Sequence, residues 1–201
     1  DVTANPRAAH HFRTVCSVIN HTDPVFMVLG NSEHKPWVDS AKLVQALRFE
    51  GLEILNNSHA AIERGADSIR VVGVDDPYSR FADVDKAFEG VEPDSFVVFL
   101  THCPSPTPDG IRRGADLILA GHTHGGQVRL PFVGIVWSHM RRHASLSDGL
   151  YQPEELSKIL EMDAGEASLF VNRGVGTSRI PIRFCCRPEV VYITLRKGGG
   201  H

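Results

Sequence analysis

The stretch LILAGHTHGGQVRLP (Leu117–Pro131) determines how we interpret the rest of this chain. It opens with a short apolar run that is typical of a buried strand and continues into two histidines set among glycines. His122 and His124 stand two positions apart, so in extended backbone both imidazoles point the same way. The glycines permit tight turns and close approach of the backbone to a ligand. This combination indicates metal or phosphate chemistry more than a packing role.

Two other apolar runs also end in residues that can bind a metal. PVFMVL (Pro24–Leu29) leads through a glycine to Asn31, and SFVVFL (Ser95–Leu100) leads through a threonine to His102. Open α/β sheets place their binding crevice outside the carboxyl ends of the strands, so we expect these side chains to meet there. Taken alone, each has an ordinary alternative, a turn asparagine or a hydrogen-bonded histidine. Imidazoles with oxygen ligands suit Zn, Mn or Fe.

Periodicity along the chain predicts a layered α/β fold. The predicted strands are Pro24–Leu29, Ser68–Val74, Ser95–Leu100, Asp116–Ala120, Ser168–Val171 and Glu189–Leu195, with a shorter one at Gln127–Leu130. The predicted helices are Arg7–Asn20, Val38–Glu50, Phe81–Phe88 and Pro153–Leu160. The stretch Val133–Pro153 shows no clear period and is predicted to be a long surface loop. Strands without strict alternation, several of them separated by helices, indicate sheets that are covered on both faces.

Composition limits the kind of protein this can be. The chain has 201 residues, of which 42% are hydrophobic and 22% charged, as in folded globular domains rather than disordered chains. The net charge of -3 argues against a nucleic-acid partner held by bulk charge. No apolar run approaches the roughly 20 residues that a membrane-spanning helix needs. The sequence leaves localisation open between the cytoplasm and the membrane periphery.

Three motifs together resemble the calcineurin-like metallophosphoesterase superfamily. They are VLGNSEHK (Val28–Lys35), FLTHCP (Phe99–Pro104) and the GHTHGGQ element within Leu117–Pro131. The resemblance is closest to a bacterial branch in which Gly-Gly-Gln and a hydrophobic residue follow GHTH, and NRGVGTSRIPIRFCCRPEV (Asn172–Val190) is similar to that branch as well. It implies a four-layer α/β sandwich in which helices flank two packed mixed β-sheets, with a two-metal site at the strand ends.

The resemblance also implies a set of metal ligands. Asn31, His102 and His122 would bind one divalent metal ion, and His124 would bind the other. Asp1, in DVTANP, is similar to the aspartate that bridges the two metals in the family, although a frayed terminal carboxylate is the plain alternative. The metals implied are Mn, Fe or Zn.

The chain departs from the family pattern in two ways. No Asp-x-His motif is present, so we expect residues 1–197 to be a single metallophosphoesterase-like domain without its first strand and that motif, followed by a tail at 198–201. In addition, the usual Gly-Asn-His reads Gly-Asn-Ser, which places Ser32 at the catalytic position. The family histidine protonates the leaving oxygen or stabilises the phosphoryl group, and a serine hydroxyl cannot act as an acid of suitable pKa. His34 could substitute for it in part, and Glu33 has less support.

The resemblance implies hydrolysis of phosphomonoester, phosphodiester or pyrophosphate bonds at a two-metal site. The alternative is a catalytically weak or inactive binding module on the same fold, which Ser32 favours. The partner is a phosphate-ester substrate, and the apolar stretch Phe132–Trp137, followed by the basic Arg141–His143, could contact a lipid headgroup or membrane interface. A loop packed on its own domain is the alternative. Asp75-Asp76-Pro77 follows a predicted strand and either forms a turn or lines the pocket.

Overall fold

A computed structural model of the chain describes residues 23–135, 145–178 and 181–198. Helices and strands alternate along these ranges, and we number them in chain order. They are β1 (Val25–Met27), α1 (Ser40–Phe49), β2 (Leu52–Ile54), β3 (Ser58–Arg64), β4 (Asp67–Gly73), α2 (Val84–Ala87), β5 (Phe96–Thr101), α3 (Thr107–Arg112), β6 (Leu117–Ala120), β7 (Arg129–Leu130), β8 (Gly134–Ile135), β9 (Gly149–Tyr151), α4 (Pro153–Leu160) and β10 (Ser168–Val171). None of the helices in these ranges is long and apolar enough to cross a membrane.

The larger sheet is mixed and has the strand order β3-β4-β5-β6-β10-β9. Its four central strands are parallel, and β3 and β9 pair antiparallel at its two edges. Thr101, the last residue of β5, lies opposite Ala120, the last residue of β6. The segments that follow the central strands therefore leave the sheet along one edge, which is where the sequence predicts the site.

Both faces of the larger sheet are covered. Consecutive residues Val97, Val98 and Phe99 of β5 are all buried, which requires apolar layers on either side and explains the lack of alternation in the sequence. Helix α3 lies directly on β5, because a Cβ built at Gly110 would be 2.6 Å from the Phe99 ring. Leu156 of α4 is fully buried in the same core.

A second, smaller sheet consists of β1 and β2 in parallel, with α1 packed on it through the buried Leu47. The two sheets pack against each other at Gly73. A Cβ there would lie well inside contact distance of Leu55 and 2.9 Å from Val28 Cγ1. This packing brings the turn that follows β1, with Asn31, over the edge of the larger sheet. The α/β architecture, with a six-stranded mixed sheet, smaller sheets and helices, is therefore as predicted.

Most predicted elements are confirmed with small shifts of their ends. Ser168–Val171 and Pro153–Leu160 have the predicted bounds, whereas Pro24–Leu29 shortens to β1 and Phe81–Phe88 to α2. The predicted long loop Val133–Pro153 contains β8 and β9, and its residues 136–144 lie outside the described ranges. The predicted helix Arg7–Asn20 also lies outside them.

The predicted strand Glu189–Leu195 is wrong. No strand is formed there in the described part of the chain, and Val190 and Tyr192 are 87% and 92% exposed. An apolar, β-branched run becomes a strand only when a neighbouring strand accepts its backbone hydrogen bonds. In the described ranges no strand pairs with this segment, so its composition alone does not order it as a strand.

Candidate metal centre

Three side chains predicted to be metal ligands meet at the edge of the larger sheet. Asn31 Oδ1 lies 3.0 Å from His102 Nε2, and His102 Nε2 lies 2.8 Å from His122 Nδ1. The two imidazoles are nearly perpendicular, with ring centroids 4.7 Å apart. Residues 71 and 20 positions apart in sequence thus direct their donor atoms to one point.

Backbone geometry explains why the two histidines meet. They follow the paired strands β5 and β6, and the pairing continues one step further, because the Gly121 N–H donates to the His102 carbonyl at 3.1 Å. His122 then takes a left-handed conformation with φ of 69°, which turns the chain at the end of the strand. The strain of that conformation in a non-glycine residue is typical of functional sites.

The turn after β1 holds Asn31 in place. Glu33 is fully buried, and its carboxylate accepts a hydrogen bond from the Gly30 N–H at 2.8 Å. The Glu33 N–H in turn donates to the Gly30 carbonyl at 3.2 Å. These two hydrogen bonds close the turn and thereby fix the position of Asn31, so Glu33 has a structural role in this conformation. Ser32, the residue at the predicted catalytic position, is 7% exposed.

Burial, together with like-charge repulsion from the nearby His122 and His124, lowers the pKa of His102 to about 2. His102 is therefore neutral across the physiological range, and the neutral imidazole is the form that binds a metal.

The distances suit a metal ion. Two ligand atoms about 2.1 Å from a metal and at right angles to each other are about 3.0 Å apart, close to the two separations found here. Two imidazoles and an amide oxygen are a donor set typical of Zn, Mn or Fe. Within residues 23–135, 145–178 and 181–198, no group of three or more His, Cys, Asp or Glu side chains could hold a metal. The three-donor cluster contains only two side chains of these four types, the two histidines, and its third donor is an asparagine amide.

The turn that carries His124 is held tightly. The Thr123 hydroxyl donates to the Ser147 carbonyl at 2.6 Å and accepts from the Gly125 N–H at 3.2 Å. The Gln127 side chain binds both backbone groups of Ser178, accepting its N–H at 2.7 Å and donating to its carbonyl at 3.3 Å. The Gly-Gly-Gln element therefore anchors the histidine turn to a distant loop.

Residues after β10 form a wall behind this turn. The Arg183 guanidinium donates to the carbonyls of His124, Arg173 and Gly176 at 3.2, 2.7 and 2.6 Å. Arg173 forms a two-pronged ion pair with Glu189, at 2.9 and 3.0 Å, which raises the pKa of the guanidinium and lowers that of the carboxyl. Sequence reasoning did not single out Arg183, because its partners are backbone carbonyls that leave no motif.

A second pair of polar side chains lies next to the cluster. His34 Nε2 is 2.6 Å from Asp75 Oδ1, and the ring of His34 stacks on Phe81 with centroids 4.3 Å apart. Asp76 accepts hydrogen bonds from the N–H groups of Tyr78 and Ser79, as expected for turn chemistry. Asp75 thus does more than the predicted turn, because it binds a histidine that lies 41 positions away.

The structure thus brings together Asn31, His102 and His122 and places His124 in the adjoining turn. The sixth predicted site residue, Asp1, lies outside the described ranges. Cys103, beside His102, is buried, and burial raises the pKa of its thiol. It approaches Ser105 Oγ at 3.0 Å, so it fits a packing role better than a ligand role.

Residues 2–126 match the family described as calcineurin-like phosphoesterase. The chain belongs to that family. The matched range contains the asparagine turn after β1 and the histidines after β5 and β6, so all three donors of the cluster lie within it.

Several relatives align with most of the chain. An uncharacterized metallophosphoesterase of Bacillus subtilis, YkuE, is 26% identical over 98% of this chain and 65% of its own length. The UDP-2,3-diacylglucosamine pyrophosphatase LpxG of Chlamydia trachomatis is 29% identical over 77% of this chain and 45% of its own length. The phosphodiesterase YaeI of Escherichia coli is 29% identical over 92% and 63%. The chain therefore spans less than two thirds of each of these relatives.

Proposed function

We propose that this protein hydrolyses phosphoric ester or pyrophosphate bonds at a site that binds two divalent metal ions. The observation that supports it most is the convergence at the sheet edge, where His102 Nε2 lies 3.0 Å from Asn31 Oδ1 and 2.8 Å from His122 Nδ1. These three would hold one metal, His124 would bind the second, and Asp1 would bridge the two. When bound, such metals supply Lewis acidity and a water of lowered pKa. Mn, Fe or Zn fits the donors.

The chain's own residues contribute charge and position. Asn31 ligates through a neutral amide, so it does not reduce the positive charge that a phosphate meets. His102 is neutral and buried, so it can ligate without first losing a proton. The rigid turns that hold Asn31 and the histidines fix the donors before substrate arrives, which is what preorganised electrostatic catalysis needs.

His122→Ala tests the proposal, with His59→Ala as the control. His59 lies on β3, where its Nε2 meets the Glu89 carbonyl at 3.1 Å, away from the cluster. We expect His122→Ala to reduce hydrolysis of an aryl phosphodiester in the presence of Mn²⁺ by more than about 100-fold and to weaken Mn²⁺ binding in calorimetry. The His59 variant should match the wild type in both. Unchanged binding and turnover in the His122 variant would contradict the proposal.

The alternative is a binding module of weak or no activity. It is favoured by the serine at position 32, where the family places a histidine. Metal content separates the two functions. A folded wild-type protein, as judged by circular dichroism, that takes up no Mn²⁺ and does not turn over aryl phosphodiesters would support the module.

The β7–β8 hairpin supports a lipid-linked substrate or membrane contact. Phe132 at its tip is fully exposed, and Val133 and Leu130 are 71% and 44% exposed, so the tip of this hairpin presents apolar side chains to solvent. The named substrate of LpxG carries acyl chains, which points the same way. We expect Phe132→Asp to reduce sedimentation with anionic phospholipid vesicles severalfold. Phe49→Asp, at another exposed phenylalanine, should not; equal losses in both variants would refute the contact.

A further inference from the structure

We propose that His34 is the proton donor to the leaving oxygen and that Asp75 is its positioning residue. The inference rests on the proposed hydrolysis and goes beyond it, because it assigns the acid step to residues outside the metal ligands. Ser32 cannot fill this role, since a serine hydroxyl is far too weak an acid near neutral pH.

The His34–Asp75 pair has the geometry of a positioned acid. The two side chains are 11% and 7% exposed and meet at 2.6 Å. A carboxylate only accepts, so His34 Nε2 carries the proton of this bond. Asp75 is fixed in turn by the Asn56 side-chain amide at 3.0 Å and by the Asp76 N–H at 2.7 Å. Phe81 stacks on the imidazole and holds the plane of the ring.

Both members of the pair belong to segments that adjoin the metal centre. Asn31 and His34 belong to the same turn after β1, and Asp75 follows β4, the strand beside the one that leads to His102. The turn at residues 76–81 joins the two groups, because Tyr78 packs against His122 with centroids 5.1 Å apart while Phe81 packs against His34. One short turn therefore contacts both the proposed acid and a proposed metal ligand.

The other acidic side chains near the centre are committed to the backbone. The Glu33 carboxylate is fully buried and accepts the Gly30 N–H, and the Asp76 carboxylate accepts two N–H groups of its own turn. His34 differs from both. Its Nδ1 bonds to no residue of the described ranges, so a second proton on the ring would point away from Asp75 and be available to a ligand.

The acid step transfers one proton from His34 to the leaving oxygen. A water oxygen forms a bond to phosphorus while the bond from phosphorus to the leaving oxygen breaks. The proton on His34 Nδ1 passes to that oxygen, which departs as the free alcohol and leaves a neutral imidazole still bonded to Asp75. His34 then takes a proton from solvent, which matches the proton that the attacking water gives up. Asp75 keeps the ring oriented through its contact with His34 Nε2.

Leaving-group dependence tests the assignment. We compare wild type, His34→Asn and Asp75→Asn with Mn²⁺ on two diesters that differ in the acidity of the departing alcohol, a p-nitrophenyl and an alkyl ester. His34→Asn should lower kcat for the alkyl ester by about 10²–10⁴-fold and for the p-nitrophenyl ester by less than about 10-fold. KM and Mn²⁺ affinity should stay near wild type. Asp75→Asn should show the same trend with a smaller loss.

A structural role would give a different pattern. If the pair only braced the fold, His34→Asn would lower the melting temperature and reduce both esters equally, which would overturn the assignment. Imidazole added to a His34→Ala variant should restore alkyl-ester turnover, and failure to do so in a folded variant would also overturn it. If the wild type is active and the variants give either of these contrary results, the assignment of His34 fails but the proposed hydrolysis is unaffected. Wild type without turnover of either ester would overturn both.

Discussion

Gly125 shows how tightly the histidine turn is packed. Its φ is +60°, and a Cβ there would lie 2.6 Å from Arg173 Cγ and 2.9 Å from Cys186 Sγ. The Cys186 thiol also approaches the His124 carbonyl at 3.2 Å. A methyl group at this position would therefore push the wall behind the turn away from it, and it would do so next to a proposed metal ligand.

We expect Gly125→Ala to reduce the free energy of unfolding by about 2–4 kcal/mol in urea titrations. About 1 kcal/mol comes from the left-handed backbone and the rest from overpacking. Gly65→Ala is the matched control, because Gly65 has a φ of +65° and nothing within 4 Å of its Cβ position. It should show the backbone cost alone. Equal losses in the two variants would mean that the packing against Arg173 contributes nothing.

Single residues differ in how far the sequence reveals them. Asn31, His102 and His122 could be predicted to meet, because each follows an apolar run and parallel strands end at one sheet edge. The pairing of His34 with Asp75 could not, since it depends on where the turn after β1 falls across β4. Arg183 could not be predicted either, because no side-chain motif marks an arginine that binds carbonyl oxygens.

At the scale of elements, the segment after β10 holds the histidine turn through two contacts and is itself closed by a third. Gln127 binds the Ser178 backbone, Arg183 binds the His124 carbonyl, and the Arg173–Glu189 ion pair closes the segment on itself. None of these contacts needs regular secondary structure. The segment therefore stabilises the site although its final apolar part forms no strand.

Strands that are continuous apolar runs could be predicted from the sequence. Strands that form only because a neighbouring strand pairs with them could not. Strand β5 is an apolar run buried on both faces, and in the apolar runs of β6 and β10 buried residues alternate with half-buried ones, so composition alone indicates all three. Strand β3, with the sequence SHAAIER, has little β-branched character and forms because it pairs residue by residue with β4 across a tight turn at Gly65. Glu189–Leu195 has the composition of a strand, but in the described ranges no neighbouring strand pairs with it.

At the scale of the whole molecule, the proposed metal centre depends on how two sheets pack against each other. The smaller sheet supplies Asn31 through the turn after β1, and the larger sheet supplies His102 and His122 through β5 and β6. No single element contains the cluster. The distance of 3.0 Å between Asn31 Oδ1 and His102 Nε2 is therefore a measure of how closely the sheets approach.

Gly73 sets that approach, so Gly73→Ala should disturb stability and metal binding together. Its φ lies outside the left-handed region, so the only cost of a methyl group is the clash with Leu55 and Val28. We expect a loss of about 1–3 kcal/mol in the free energy of unfolding. Because Val28 leads directly to the turn of Asn31, Mn²⁺ affinity in calorimetry should also fall, on the order of 10-fold.

Gly176→Ala is the control for this prediction, because Gly176 has open space around its Cβ position and no left-handed φ. It should leave both quantities near wild type. A Gly73 variant that loses stability but binds Mn²⁺ as tightly as wild type would show that Asn31 does not depend on the packing of the sheets. In that case the turn held by Glu33 would be enough to place the amide, and the cluster would be a property of the sheet edge rather than of the whole fold.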